Sequence, residues 1–120
     1  MANITATKDA GKGPGYAYTW ADVDENDTPL ASLVEPGRHM VSVEGDFSGS
    51  LEVEIKAAIE NASHKSLPHP DGTATITFSA QTDEPVLITL CHCYVLPVVS
   101  GGSSAEVNIY LYPVTVERGR

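Results

Sequence analysis

The residues with the greatest chemical potential are the consecutive Cys91, His92 and Cys93. Thiolates and imidazoles are the ligands that zinc prefers, and any of the other histidines could complete such a site. Structural zinc sites, however, take cysteines roughly two to four residues apart on a turn. This segment has the pattern of a strand, on which Cys91 and Cys93 point to one face and His92 to the other. We therefore expect buried, reduced thiols and keep a metal site as the weaker alternative.

A second candidate is the acidic stretch at residues 22–27, which contains Asp22, Asp24 and Asp27. Carboxylate oxygens are the usual ligands of calcium. The EF-hand pattern also needs a glycine at its sixth position and a glutamate at its twelfth, and counted from Asp22 these positions hold Asp27 and Leu33. The stretch is better interpreted as a solvated turn than as a cation site.

Catalytic motifs are weak throughout the sequence. There is no Gly-x-Ser-x-Gly motif, and the serine within residues 45–49 stands one position too late for it. The glycines of residues 11–15 lack the spacing and the preceding strand of a phosphate-binding loop. A Cys91 or Cys93 nucleophile with a distant histidine is the remaining catalytic alternative. We expect a protein that is not an enzyme and that has no cofactor.

The charge of the chain argues against polyanionic partners. Its 120 residues include 7 Lys+Arg and 16 Asp+Glu, a net charge of −9, and the basic residues are scattered. Nucleic acids and anionic membranes are bound largely through Lys and Arg, so neither is an expected partner.

The uncharged residues 85–105 are interrupted by His92, Pro97 and a Gly/Ser cluster, so we expect no membrane span. The first residues lack the pattern of a secretory signal, which predicts folding in a cytoplasm.

Alternation of apolar and polar residues, the period of a half-buried strand, recurs along the chain. Strands are predicted at residues 16–20, 40–45, 51–55, 73–80 (the clearest), 86–99 with a bend at Pro97, and 107–111. Residues 55–62 also fit a helical spacing, and we interpret them as strand and loop.

Seven or eight short strands without a long helix predict an all-β protein, an antiparallel β-sandwich of jelly-roll or immunoglobulin-like type. Residues 16–120 would form this single domain. Residues 1–15 are small, polar and glycine-rich, and they are predicted to be a flexible N-terminal arm outside the fold.

Four aromatic residues suit a protein interface: Trp20, Tyr94, Tyr110 and Tyr112. Tyr110 and Tyr112 occupy the face of the last strand opposite its aliphatic residues, where they could contact a partner. The alternative is that both faces of that strand are covered within the sandwich.

Several short motifs resemble those of a known family. They are Thr19-Trp20 with residues 26–29 (NDTP), residues 41–50 (VSVEGDFSGS), Leu67 with Asp71-Gly72, residues 76–80 (ITFSA), residues 94–102 (YVLPVVSGG) and residues 107–111 (VNIYL). In these motifs the chain is similar to the small β-sandwich proteins that serve tailed bacteriophages as capsid decoration, or head-associated, proteins. It departs from the family at Leu96, where members usually carry arginine, and at residues 57–65, where they carry a polar loop.

The resemblance implies a virion structural protein that is made in the host cytoplasm and bound to the outer capsid surface as a homotrimer. Its partners would be the major capsid protein and further copies of itself, and it would cement the expanded shell by binding it selectively. Two alternatives stay open. One is a neck, collar or fibre component of the same virion, and the other is a β-sandwich module that binds a glycan or calcium.

Overall fold

The computed structural model describes residues 3–10, 16–59, 64–67, 75–80, 83–102 and 105–114. Over these ranges the chain forms strands and turns but no helix, so no described helix could cross a membrane. The strands are β1 (Asn3–Ile4), β2 (Thr7–Ala10), β3 (Tyr16–Val23), β4 (Thr28–Pro29), β5 (Ser32–Val34), β6 (Gly37–Gly45), β7 (Glu52–Ala58), β8 (Lys65–Ser66), β9 (Thr77–Phe78), β10 (Val86–Leu90), β11 (Cys93–Ser100) and β12 (Val107–Pro113).

Most of these strands belong to two sheets. The front sheet has the order β10-β6-β12-β3-β2, and the back sheet has the order β5-β11-β7-β8, with β9 also paired to β7. Every pair within both sheets is antiparallel, whereas β1 and β4 form a separate parallel pair. The last described strand, β12, lies in the middle of the front sheet, between β6 and β3. The predicted antiparallel β-sandwich is confirmed.

The inward side chains of both sheets form one apolar core. The front sheet contributes Trp20 and Tyr18, and the back sheet contributes Phe78 and Ile55, each at most 1% exposed. Burying one large apolar side chain stabilises a fold by about 1.5–3 kcal/mol, so this core holds the two sheets together.

A bulge in β3 allows Trp20 and Val23 to point into the same core although they are three positions apart. Opposite them on β12, Ile109 pairs with Trp20 and Val107 with Val23, so β3 contains one extra residue. Asp22 takes up the excess with a left-handed φ of 56°. A bulge of this kind re-aims the side chains that follow it. The predicted acidic turn therefore begins after Val23 rather than at Asp22.

The predicted strand at residues 86–99 is in fact two strands in different sheets. The chain leaves the front sheet after Leu90 (β10), crosses at Cys91 and His92, and enters the back sheet at Cys93 (β11). The predicted bend at Pro97 is wrong, because β11 runs through that proline, which pairs with Ile55 of β7. Beyond Val95 no described strand pairs with the other edge of β11, and a proline is tolerated in a strand that has such an open edge.

The strand predicted at residues 73–80 is shorter than its alternation indicates; residues 73 and 74 lie outside the described part. Only residues 77 and 78 form a strand, although Ile76 and Phe78 point inward as predicted. The strand ends because Asp83 closes a turn: its carboxylate accepts hydrogen bonds from the amides of Ser79 (2.8 Å) and Ala80 (3.2 Å).

Residues 3–10 of the predicted arm are paired with the sandwich instead of lying outside it. Strand β2 adds to the edge of β3, and the Lys8 ammonium lies 4.2 Å from the centroid of the Tyr16 ring. The carbonyl of Ile4 accepts a hydrogen bond of 2.9 Å from the amide of Leu30. An edge strand needs backbone partners rather than apolar side chains, which explains why a polar segment can join the fold. Residues 11–15 lie outside the described part.

Candidate interaction surfaces

Trp20 is a core residue, and the prediction that it faces a partner is wrong. Its side chain is 1% exposed, and its indole nitrogen donates a hydrogen bond of 2.9 Å to the carbonyl of Leu30. A tryptophan buried in this way satisfies its one donor inside the protein and offers nothing to a partner.

Tyr110 and Tyr112 lie half-buried on the outer face of the front sheet, opposite the inward Ile109 and Leu111. Their rings meet edge to face, with centroids 6.0 Å apart and planes inclined at 68°. An aromatic pair of this geometry is pre-ordered, so it loses little conformational freedom when a partner covers it. The predicted position of both tyrosines on this face is confirmed.

Two aliphatic residues that the sequence analysis missed extend this tyrosine pair into a larger apolar surface. Met40 of β6 lies opposite Tyr112 on one side and Leu87 of β10 on the other. Met40 is 41% exposed and Leu87 37% exposed. We call Met40, Leu87, Tyr110 and Tyr112 the front patch. Its members come from three adjacent strands, and such a contiguous exposed apolar surface typically marks an interaction site.

Tyr94 lies on the opposite side of the molecule, on the outer face of the back sheet. It is half-buried between Leu33 of β5 and Ala58 of β7. The next positions of β7 on this face are Lys56 and Glu54, so charged side chains border the apolar residues. Tyr94 therefore does not join Tyr110 and Tyr112 in one surface.

The two cysteines are free and occupy different environments. Cys91 is exposed in the connection from β10 to β11, whereas Cys93 is buried at the start of β11. Burial, with a further contribution from Cys91, raises the pKa of the Cys93 thiol to about 11. The prediction that both thiols are buried is wrong for Cys91, because the strand on which they were to share a face is interrupted at Cys91 and His92.

The other candidate metal ligands are dispersed. His39 is buried on β6. His64 directly precedes β8, and His69 lies outside the described residues. His92 is exposed beside Cys91. Among the described residues, no group of three or more His, Cys, Asp or Glu side chains is arranged to hold a metal ion.

The acidic stretch forms a turn that is stabilised by its own carboxylates. Asp24 accepts a hydrogen bond of 2.8 Å from the amide of Asn26, and Asp27 accepts one of 3.1 Å from the amide of Asp24. Asp22 lies apart from them in the bulge, where its amide donates to Asn108 Oδ1 at 2.9 Å. Side-chain bonds to nearby amides are the usual role of aspartate in turns.

A groove of about 480 Å³ runs along the free edge of β10. Its lining residues come from strands β6 and β10 of the front sheet and from the segments next to β8 and β9: Arg38, Leu67, Ile76, Leu87, Ile88, Thr89 and Leu90. The groove lies where the front sheet ends, because β10 is the terminal strand of that sheet. The groove adjoins the front patch at Leu87.

Comparison with known proteins adds no relative: no family model, no curated protein and no solved structure matches the chain.

Proposed function

We propose that this protein is a structural protein of a bacteriophage virion, which decorates the outer capsid surface and stabilises the shell. The resemblance of the sequence motifs to decoration proteins of tailed bacteriophages is the reason for proposing a bacteriophage virion. The observation that carries the proposal is the front patch, which offers a rigid apolar and aromatic surface for another protein. The major capsid protein is the proposed partner, and a homotrimer is the proposed form of the decoration unit.

The physical properties of the surface suit such a role. The front patch lies across the centre and one edge of an antiparallel sheet, so its shape is fixed before binding and little ordering cost opposes association. A net charge of −9 keeps the free protein soluble while the uncharged patch remains available for contact. Binding to the expanded shell alone would stabilise that state by mass action.

The proposal is tested on particles from the organism that carries the gene. Particles purified by density gradient should contain this chain in stoichiometric amounts, and particles from a gene deletion should release DNA at a lower temperature. Absence of the chain from purified particles would overturn the proposal. Attachment of the chain to the neck or a fibre, seen by immunogold labelling, would instead support the neck, collar or fibre alternative.

A matched pair of substitutions tests the front patch itself. Met40→Lys places a charge in the patch, and Leu33→Lys places the same charge on the back sheet at a residue of equal exposure, 40% against 41%. Purified variants are added to particles that lack the chain. Met40→Lys should lose binding by at least tenfold and Leu33→Lys should retain it, whereas the reverse order would assign the contact to the back sheet.

A further inference from the structure

The free edges of the two sheets differ in their protection against pairing with another chain. Strand β2 carries Lys8 and Asp9, β8 is two residues long and includes Lys65, and β5 and β9 have only three and two residues. Charges and short length are the usual devices that prevent edge-to-edge association. Strand β10 has neither device: its five residues, Val-Leu-Ile-Thr-Leu, are uncharged and contain no proline.

The inward side chains of β10 are also less completely buried than those at the centre of the front sheet. Val86, Ile88 and Leu90 are 7%, 8% and 6% exposed, against 1% for Val41 and 0% for Ile109. The edge groove exposes this side of the core to solvent. An additional strand beside β10 would cover these side chains and satisfy the backbone groups of this edge, which pair with no other described strand.

We propose that β10 pairs with β10 of a second copy of this chain, in antiparallel orientation about a two-fold axis at Ile88. In this register Val86 lies opposite the partner's Leu90, and Leu87 lies opposite the partner's Thr89. Inward residues then oppose inward residues, so the two front sheets become one continuous sheet with both cores on the same side. A two-fold contact of this kind uses the same surface on both subunits.

The charges at the two ends of the edge favour a second copy over an unrelated strand. Asp83 and Glu84 precede β10 and are exposed. At the other end Arg38, which is paired with Thr89, lines the groove beside β10. Antiparallel pairing brings the acidic end of each strand toward the basic end of the other, twice about the axis. This charge complementarity favours the antiparallel register and steers the encounter.

The contact shares Leu87 with the front patch, but it is made through the edge of β10 and does not depend on the proposed capsid role. It predicts that the purified full-length protein associates in solution as an even number of chains. The oligomer has two chains if this is the sole contact, and six if a three-fold contact is also present. The mass is measured by light scattering over a wide concentration range. A wild-type mass of one or three chains would overturn the inference, whether or not the chain is found on virions.

Substitution at the edge provides the decisive variant. Thr89→Lys places an ammonium group on the exposed side of β10, and Thr7→Lys makes the same change at an exposed position of β2, the opposite edge. Thr89→Lys should halve the mass, and Thr7→Lys should leave it unchanged. An unaltered mass for a folded Thr89→Lys protein would overturn the inference.

A cross-linking measurement keeps the inference testable if Thr89→Lys fails to fold. In a Cys91→Ser background, Ile88→Cys should form a covalent dimer under mild oxidation, because directly opposed residues of an antiparallel pair approach closely enough for a disulfide. Thr7→Cys in the same background should remain monomeric on a denaturing gel. A folded Ile88→Cys protein without cross-linked product would refute pairing in this register.

Discussion

The indole nitrogen of Trp20 lies 2.9 Å from the carbonyl oxygen of Leu30, ten residues further along the chain. This hydrogen bond joins β3 of the front sheet to the segment that follows β4. The amide of the same Leu30 donates to the carbonyl of Ile4, so both backbone groups of one residue are used. The acidic turn and the N-terminal strand β1 are thereby connected to the core.

Trp20→Phe should lower the free energy of unfolding by about 1–3 kcal/mol, because it leaves the Leu30 carbonyl without its partner inside the protein and removes part of the ring volume. Urea denaturation followed by circular dichroism measures the change. Tyr110→Phe, a substitution at a half-exposed ring, serves as the control and should cost much less. Equal stability of the Trp20→Phe and wild-type proteins would show that the hydrogen bond contributes nothing.

The free energy of unfolding should decrease as the pH is lowered below 6.5, because of His39. Burial lowers the pKa of this imidazole below its ordinary value of 6.5, although a hydrogen bond with the Gly37 carbonyl and the nearby Glu35 oppose the shift. Well above pH 6.5 this imidazole is neutral in both the folded and the unfolded chain. As pH falls, the unfolded chain binds the proton first, so the free energy of unfolding decreases until the folded protein is protonated too.

The measurement is urea denaturation at several pH values between 5 and 8, where histidine is the side chain that ordinarily titrates. His39→Gln should flatten the decrease, and His92→Gln, at an exposed position, should retain it. A His39→Gln protein with the wild-type pH dependence would assign the effect to other groups.

The two thiols should react at very different rates. Cys93 is buried with a pKa of about 11, so little thiolate forms at pH 8, whereas Cys91 is exposed. With Ellman's reagent, one thiol per folded chain should react quickly and the second only after unfolding. Cys91→Ser should remove the fast phase and Cys93→Ser should preserve it. Two thiols reacting at one rate would contradict the assigned environments.

Calcium should leave the melting temperature unchanged. The carboxylates of Asp24 and Asp27 already accept hydrogen bonds from amides of their own turn, and Asp22 is held apart from them in the bulge. Asp24→Ala should lower the stability by about 1 kcal/mol equally in calcium and in EDTA, because it removes a turn bond. Thermal melts in both solutions measure this, and a rise in melting temperature specific to calcium would revive the cation-binding alternative.

Much of the fold follows from local alternation in the sequence. The inward residues of β3, β6, β7 and β12 share a face because side chains two apart do so on any strand. The bulge at Asp22 does not follow from alternation, since it depends on pairing with β12, more than eighty residues away. The crossing at Cys91 and His92 is similarly hidden, because apolar residues continue on both sides of it and one polar residue, His92, does not by itself indicate a change of sheet.

The candidate surface was predictable only in part. Alternation places Tyr110 and Tyr112 together, but it does not show which aromatic residues the second sheet covers, and the prediction for Trp20 is wrong for that reason. The outward position of Met40 and Leu87 could not be predicted in this way, because each stands beside a buried aliphatic residue and only the register of three strands places the two on one surface. Backbone pairing likewise recruits residues 3–10, whose side chains give no sign of it.

The central position of β12 has a consequence for how the protein is made. Strands β6 and β3 cannot complete their pairing until residues 107–113 have left the ribosome, so the front sheet closes after all the other described strands have been made. The back sheet, whose described strands end at Ser100, becomes available earlier. Until β12 inserts, the core-facing sides of β3 and β6 stay open to water. During that interval the exposed apolar side chains make the nascent chain prone to aggregation.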